Sequence, residues 1–100
     1  MDNFEQIDIQ KAQDMIRSHD VIVVDIRDED SYKSGHINGA LLLNDENIER
    51  FISDSDKTKP VICYCYHGIS SQSAAGFLKK QGFCKVYSLI GGFEEWRKNS

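Results

Sequence analysis

Two spacings of apolar residues alternate along this chain. Val21-Ile-Val-Val24, Leu41-Leu-Leu43, Val61-Ile-Cys-Tyr64 and Val86-Tyr-Ser-Leu89 are short, nearly continuous runs. Runs of this length rich in β-branched and aromatic residues suit strands buried on both faces of a parallel sheet. Between them apolar residues recur every three or four positions, which is helical spacing. Ile9, Ala12, Met15 and Ile16 form one such face, Ile48, Phe51 and Ile52 a second, and Ala74, Ala75 and Leu78 a third.

The polar residues between these segments predict where each helix starts and stops. Asp8, Asp28 and Asn44 stand where helix N-caps are expected, and Asp45 and Glu46 would follow in a first turn that favours anions. Ser70 and Ser71 open a helix expected over 71–81 that Gly82 ends, and Gly35 stops a short helix from about Glu29 to Ser34. Pro60 marks a strand start. Gly91-Gly92 turns into a terminal helix carrying Phe93 and Trp96, with Trp96 expected in the core.

Strands alternating with helices mean an α/β fold, a parallel sheet covered on both faces. Right-handed crossovers place the C-terminal ends of the strands along one edge, and ligands bind outside that edge. Asp25, Arg27 and the loop that begins at Cys65 all follow strand ends. They should therefore meet.

Composition narrows the classes. One hundred residues predict one domain over 1–100, and 40% apolar with 28% charged residues is ordinary for a globular protein. A formal charge of −4 argues against a general nucleic-acid or anionic-membrane partner. No apolar run approaches the roughly 20 residues of a membrane span. The N-terminal Met-Asp-Asn-Phe-Glu lacks the basic and apolar regions of a signal peptide, so a cytoplasmic location is expected. Three cysteines in such a chain do not suggest a disulfide framework.

Position separates the three thiols. Cys65 closes a strand and sits at the mouth of a loop that leads into a helix, where unpaired backbone N–H groups stabilise a thiolate. Gly68 lets that loop turn tightly. Cys63 lies inside the strand and reads as core, and Cys84 is assigned no role. Cys63, Cys65 and His67 have metal-ligating side chains but lack paired zinc spacing, so no metal is expected. His67 is placed to shuttle protons, to hold an anion as imidazolium, or simply to face solvent. His36 should brace the turn after Gly35, and His19 suits a helix end. Asp25 and Arg27 read as an ion pair, with Arg27 also placed to attract an anionic substrate.

Three signatures together resemble the rhodanese homology domain. They are Val24-Asp-Ile-Arg27 followed by Tyr32-Lys-Ser-Gly-His-Ile-Asn-Gly-Ala40, the loop Cys65-Tyr66-His67-Gly68-Ile69-Ser70 with Ser71 opening the helix, and Gly91-Gly-Phe-Glu-Glu-Trp96. They stand in the family's order and span nearly the whole chain. The resemblance is nearest to single-domain bacterial thiosulfate sulfurtransferases of the GlpE type. It implies a three-layer α/β/α fold with a five-stranded parallel sheet in the order 3-2-4-5-1.

The resemblance also implies a double displacement through a Cys65 persulfide, with thiosulfate as donor and cyanide or thiols as acceptors. Thioredoxin-like or other thiol proteins would be acceptors of the second kind, and no cofactor is implied. The residues Tyr66 to Ser71 would hold the persulfide through their N–H groups. Many relatives carry a basic residue after the cysteine or at the loop's end, where this chain has Tyr66 and Ser70. Thiosulfate would then depend on backbone dipoles, Arg27 and His67. Two alternatives are a sulfur carrier loaded by a protein donor, and a cysteine phosphatase or arsenate reductase of the Cys-x₅-Arg kind. The latter would need arginine where Ser71 stands.

Overall fold

In the computed structural model, which describes residues 3–18 and 20–99, ten elements alternate along the chain. The strands are β1 (Glu5–Ile7), β2 (Ile22–Asp25), β3 (Leu41–Leu42), β4 (Val61–Tyr64) and β5 (Val86–Leu89). The helices are α1 (Ile9–Arg17), α2 (Glu29–Ser34), α3 (Ile48–Asp54), α4 (Ser70–Lys80) and α5 (Gly92–Lys98). All strand pairs are parallel and the sheet runs β1-β5-β4-β2-β3. Read from the other edge, that is the expected order 3-2-4-5-1.

Side-chain parity divides the core into two layers. Val23, Ile62, Tyr64, Tyr87 and Leu89 face one side, where Ala12, Met15 and Ile16 of α1 and Phe93 and Trp96 of α5 pack on them. Val24, Val61, Cys63 and Val86 face the other, covered by Ile48, Phe51 and Ile52 of α3 and Ala75 and Leu78 of α4. All four β4 residues are fully buried, as a central strand between two helical layers must be.

Asp8 and Asp28 cap as expected, accepting from Lys11 N at 2.9 Å and Ser31 N at 3.1 Å. β1 supplies the first strand of the expected order without an apolar run of its own, because only Ile7 of it is buried while Glu5 and Gln6 are exposed and pair in register with β5. Two expectations need correction. α3 begins at Ile48, not directly after Asn44. Asn44 and Asn47 instead bond each other across a turn: Asn44 Oδ1 accepts from Glu46 N and Asn47 N, and Asn47 Oδ1 accepts from Asn44 N. Asp45 and Glu46 lie in that turn, and Glu49 is the acid of the first helical turn. Finally, Ser70 and Ser71 are not caps. Ile69 holds the N-cap position of α4 without a side-chain bond, and both serines lie inside the first turn. His19 lies outside the described residues.

Candidate active site

β4 delivers Cys65 to the C-terminal edge of the sheet with the same parity as Val61 and Cys63, on the α4 side. The thiol is buried, 6% exposed, and the loop folds over it. Gly68 N donates to Cys65 Sγ at 3.1 Å and Ser71 N donates at 3.3 Å. The Ser71 hydroxyl lies 3.5 Å from the sulfur. Gly68 has φ +88°, and a Cβ there would stand 2.8 Å from Gly91 N and 2.9 Å from Leu89 O. Only glycine lets the loop close this tightly against the β5–α5 turn.

A second helix end fixes the outer side of the loop. Phe93 N donates to Cys65 O at 2.8 Å and Glu94 N donates to Tyr66 O at 3.0 Å. The C=O and N–H of one planar peptide point in opposite directions. Holding these two carbonyls on α5 therefore turns the N–H groups of Tyr66 and His67 toward the sulfur side. Gly92 makes the approach possible, because a Cβ on it would lie 2.6 Å from Tyr66 O and closer still to Cys65 O. The Gly91-Gly92 pair is thus a docking point for the loop as well as a turn.

These contacts decide the thiol's ionisation. Burial pushes the Cys65 pKa up, but the Ser71 hydroxyl and the N–H groups of Ser71, Gly68 and His67 outweigh it, and the net direction is down. Cys63, two residues earlier, has burial without such donors and is pushed up to about 12. One thiol is prepared to ionise and the other is kept neutral. Cys84 is exposed.

The remaining candidates separate. Tyr66 and His67 are exposed, their rings meeting edge to face with centroids 4.6 Å apart. His67 contributes through its backbone N–H, and its ring forms no hydrogen bond among the described residues. Ile69 is 74% exposed and Ser70 is exposed, so both present themselves at the mouth. His36 stacks on Tyr32 with centroids 3.8 Å apart, and its Nδ1 lies 2.8 Å from Tyr32 O. Its place is the turn after α2.

Arg27 forms the ion pair with Asp25 that its place at the strand end suggests. Nε lies 3.1 Å from each Asp25 oxygen, and Nη2 donates to Asp25 Oδ2 at 2.7 Å and to Gly35 O at 2.6 Å. The guanidinium also lies 4.2 Å over the Phe93 ring. Asp25 is fully buried and accepts from the Tyr64 hydroxyl at 2.7 Å, which itself accepts from Ile37 N at 3.1 Å. With its charge met by a carboxylate, Arg27 braces Phe93 and the helix end that carries the loop. Among the described residues, no group of three or more His, Cys, Asp and Glu side chains is placed to hold a metal ion.

The sequence pattern of the rhodanese-like domain matches residues 8–99. The chain belongs to the rhodanese-like domain family. Among curated proteins, it is 52% identical over 97 residues to the thiosulfate sulfurtransferase GlpE of Pseudomonas fluorescens, covering 97% of this chain and 88% of that one. Among solved structures, the rhodanese-like domain of an Anabaena protein superposes with a TM-score of 0.84 at 25% identity, over 98% of this chain and 76% of that one. A Rhodopseudomonas palustris protein of unknown function, described as a possible tyrosine phosphatase, superposes with a TM-score of 0.82 at 28% identity, over 96% and 81%. The rhodanese-like fold thus covers the chain from α1 to the end of α5. No helix among the described residues is long and apolar enough to cross a membrane.

Ser88 is the residue near the sulfur that sequence reasoning missed. Its hydroxyl lies 2.7 Å from that of Ser71, both fully buried. The available signal was parity: Ser88 shares the face of Val86, the side on which α4 packs.

Proposed function

We propose that this rhodanese-like domain is a thiosulfate sulfurtransferase working by double displacement through Cys65. The observation that carries the reading is the cradle of N–H groups on Cys65 Sγ, which no cationic side chain joins by a hydrogen bond among the described residues. Its thiolate attacks the outer sulfur of thiosulfate. The S–S bond breaks, sulfite leaves with the electron pair, and a Cys65 persulfide anion remains. A second nucleophile, cyanide or a thiolate, then attacks the terminal sulfur. The new S–S bond breaks toward Cys65, which is restored as thiolate, and thiocyanate or a new persulfide departs. Neither step needs a metal or an organic cofactor.

The loop suits this chemistry because the charge stays on sulfur throughout. A buried sulfur anion is stabilised by fixed dipoles that need no reorganisation during the reaction. The relatives of the same family named as thiosulfate sulfurtransferases support the donor. The phosphatase reading lacks its cation. Six residues past the nucleophile stands Ser71, fully buried and hydrogen-bonded to Ser88, so no guanidinium meets a phosphoryl group there.

The test is to incubate reduced protein with thiosulfate, measure intact mass, and then add cyanide and assay thiocyanate. One added sulfur, mapped to Cys65 and discharged by cyanide, is the expected result. Turnover by Cys65→Ser at the parent rate would end the assignment. Loading only from a protein persulfide donor would favour the carrier reading instead.

A further inference from the structure

A pair of buried hydroxyls lies directly beneath the nucleophile. Ser88 belongs to β5, where its strand neighbours are apolar, and Ser71 to the first turn of α4. Their oxygens are 2.7 Å apart and both residues are 0% exposed. Ser71 Oγ is in turn 3.5 Å from Cys65 Sγ. Among the described residues neither side chain has another hydrogen-bond partner. The three atoms form a short chain with two links, Ser88 Oγ to Ser71 Oγ to Cys65 Sγ.

Counting protons gives this chain a preferred state. With Cys65 as thiol, one S–H and two O–H protons compete for two links, and one proton has no acceptor in the chain. With the sulfur unprotonated, two protons fill two links: Ser88 donates to Ser71 and Ser71 donates to Sγ. A buried polar hydrogen left without an acceptor costs more than a formed bond contributes. The thiolate and the persulfide both offer an unprotonated Sγ, so both satisfy the chain.

We propose that Ser88 is a positioning residue for sulfur transfer: through Ser71, it aims a chain of hydroxyl donors at Cys65 and favours the unprotonated sulfur. The proposal rests on the reading of Cys65 as the nucleophile. It does not depend on which donor supplies the sulfur.

The experiment is the pH dependence of Cys65 alkylation by iodoacetamide in the reduced protein, followed by peptide mass mapping, which reads ionisation without thiosulfate. Ser88→Ala should move the midpoint upward by about half a unit to one unit. Below both midpoints that is an alkylation rate about threefold to tenfold lower. Ser71→Ala should move it further. The double variant should match Ser71→Ala alone, because Ser88 then has nothing to act through. A folded Ser88→Ala protein with the parent midpoint overturns the proposal, as do additive shifts in the double variant. A lowered Tm with an unchanged midpoint marks a merely structural serine and overturns it equally. Should the alanine protein not fold, Ser88→Cys keeps the shape of the side chain, slightly enlarged, with a weaker donor. It should shift the midpoint the same way, and a parent midpoint there is refuting. Failure to form a persulfide from thiosulfate, with the midpoint shift intact, would sink the donor assignment and leave Ser88 in its role.

Discussion

Gly92→Ala should cost both stability and activity, and the two losses can be separated. Gly92 has φ +60°, so an L-residue there carries about 1–2 kcal/mol of left-handed strain. The new Cβ also meets the carbonyls of Cys65 and Tyr66, at 2.6 Å for the latter, where ordinary contact needs nearly an ångström more. Relieving that overlap moves the α5 end away from the loop and weakens the bonds from Phe93 N and Glu94 N. At about 0.5–1.5 kcal/mol each they add about 1–3 kcal/mol. The total is about 2–5 kcal/mol. For a domain of this size each kcal/mol lowers Tm by about 4–8 °C.

Gly39→Ala supplies the control. Gly39 has φ +87° but open space within 4 Å of the new Cβ, so the substitution carries the backbone strain without the collision. Urea unfolding should place Gly92→Ala below Gly39→Ala by the value of the lost loop contacts. Steady-state thiosulfate:cyanide kinetics, at a temperature where both are folded, should show Gly39→Ala near the parent. Gly92→Ala should lose about two orders of magnitude in kcat/KM, the scale expected when reacting groups shift by an ångström. Equal stability and equal activity of the two variants would refute the idea that α5 holds the loop.

Other outcomes test other parts of the site. Arg27→Met leaves the fully buried Asp25 carboxylate without its cation and should destabilise by about 3–5 kcal/mol in urea unfolding, with KM for thiosulfate little changed. A raised KM without loss of stability would instead restore Arg27 as an anion attractor. Cys63, pushed up to about 12, should resist iodoacetamide at pH 8 until guanidinium unfolds the protein, whereas exposed Cys84 reacts at once. Comparable native rates for the two thiols would contradict the burial of Cys63. For Cys65, a folded pKa below the ordinary 9.0 means stability that is fully present above 9.0 and lost as pH falls through the folded value. Under reducing conditions the stability difference between parent and Cys65→Ser should therefore climb toward pH 9 and then level off. A flat difference would show that the cradle does not favour the thiolate. Cys63 shifts the other way, but it is present in both proteins and cancels.

What was legible in the chain was legible for a physical reason. Strands buried on both faces and helices packed on one must write their periodicity into the sequence, which is why β2, β4, β5, α1 and α4 could be read directly. β1 left no apolar run to mark its bounds, because a strand at the sheet edge pairs through backbone and buries one side chain, Ile7. The start of α3 was misplaced because Asn44 and Asn47 satisfy each other rather than the helix. The Asp25–Arg27 pair was readable from the strand end, but the contacts that complete it, Gly35 O on the guanidinium and the Tyr64 hydroxyl on the carboxylate, come from segments that only the fold brings to that corner. Ser88 carried no chemical signal of its own. A serine in a strand becomes functional only through what packs opposite it, here the first turn of α4.

The cradle also indicates why sulfur suits this loop better than phosphate. Two elements divide the work: α4 turns the N–H of Ser71 onto the sulfur beside that of Gly68 from the loop, and α5 holds the loop from outside through the carbonyls of Cys65 and Tyr66. Every donor is neutral. Such donors can spread and hold the single charge of a thiolate or a persulfide, which is soft and diffuse. A phosphoryl group left on the sulfur would give a covalent intermediate with a second, more localised charge, and without a bidentate cation that charge has no partner in a buried loop. Six positions after Cys65 stands Ser71. An arginine there would supply the missing charge. Ser71 instead places a hydroxyl 3.5 Å from the sulfur and joins it to Ser88, a neutral contact that suits the single charge of a thiolate.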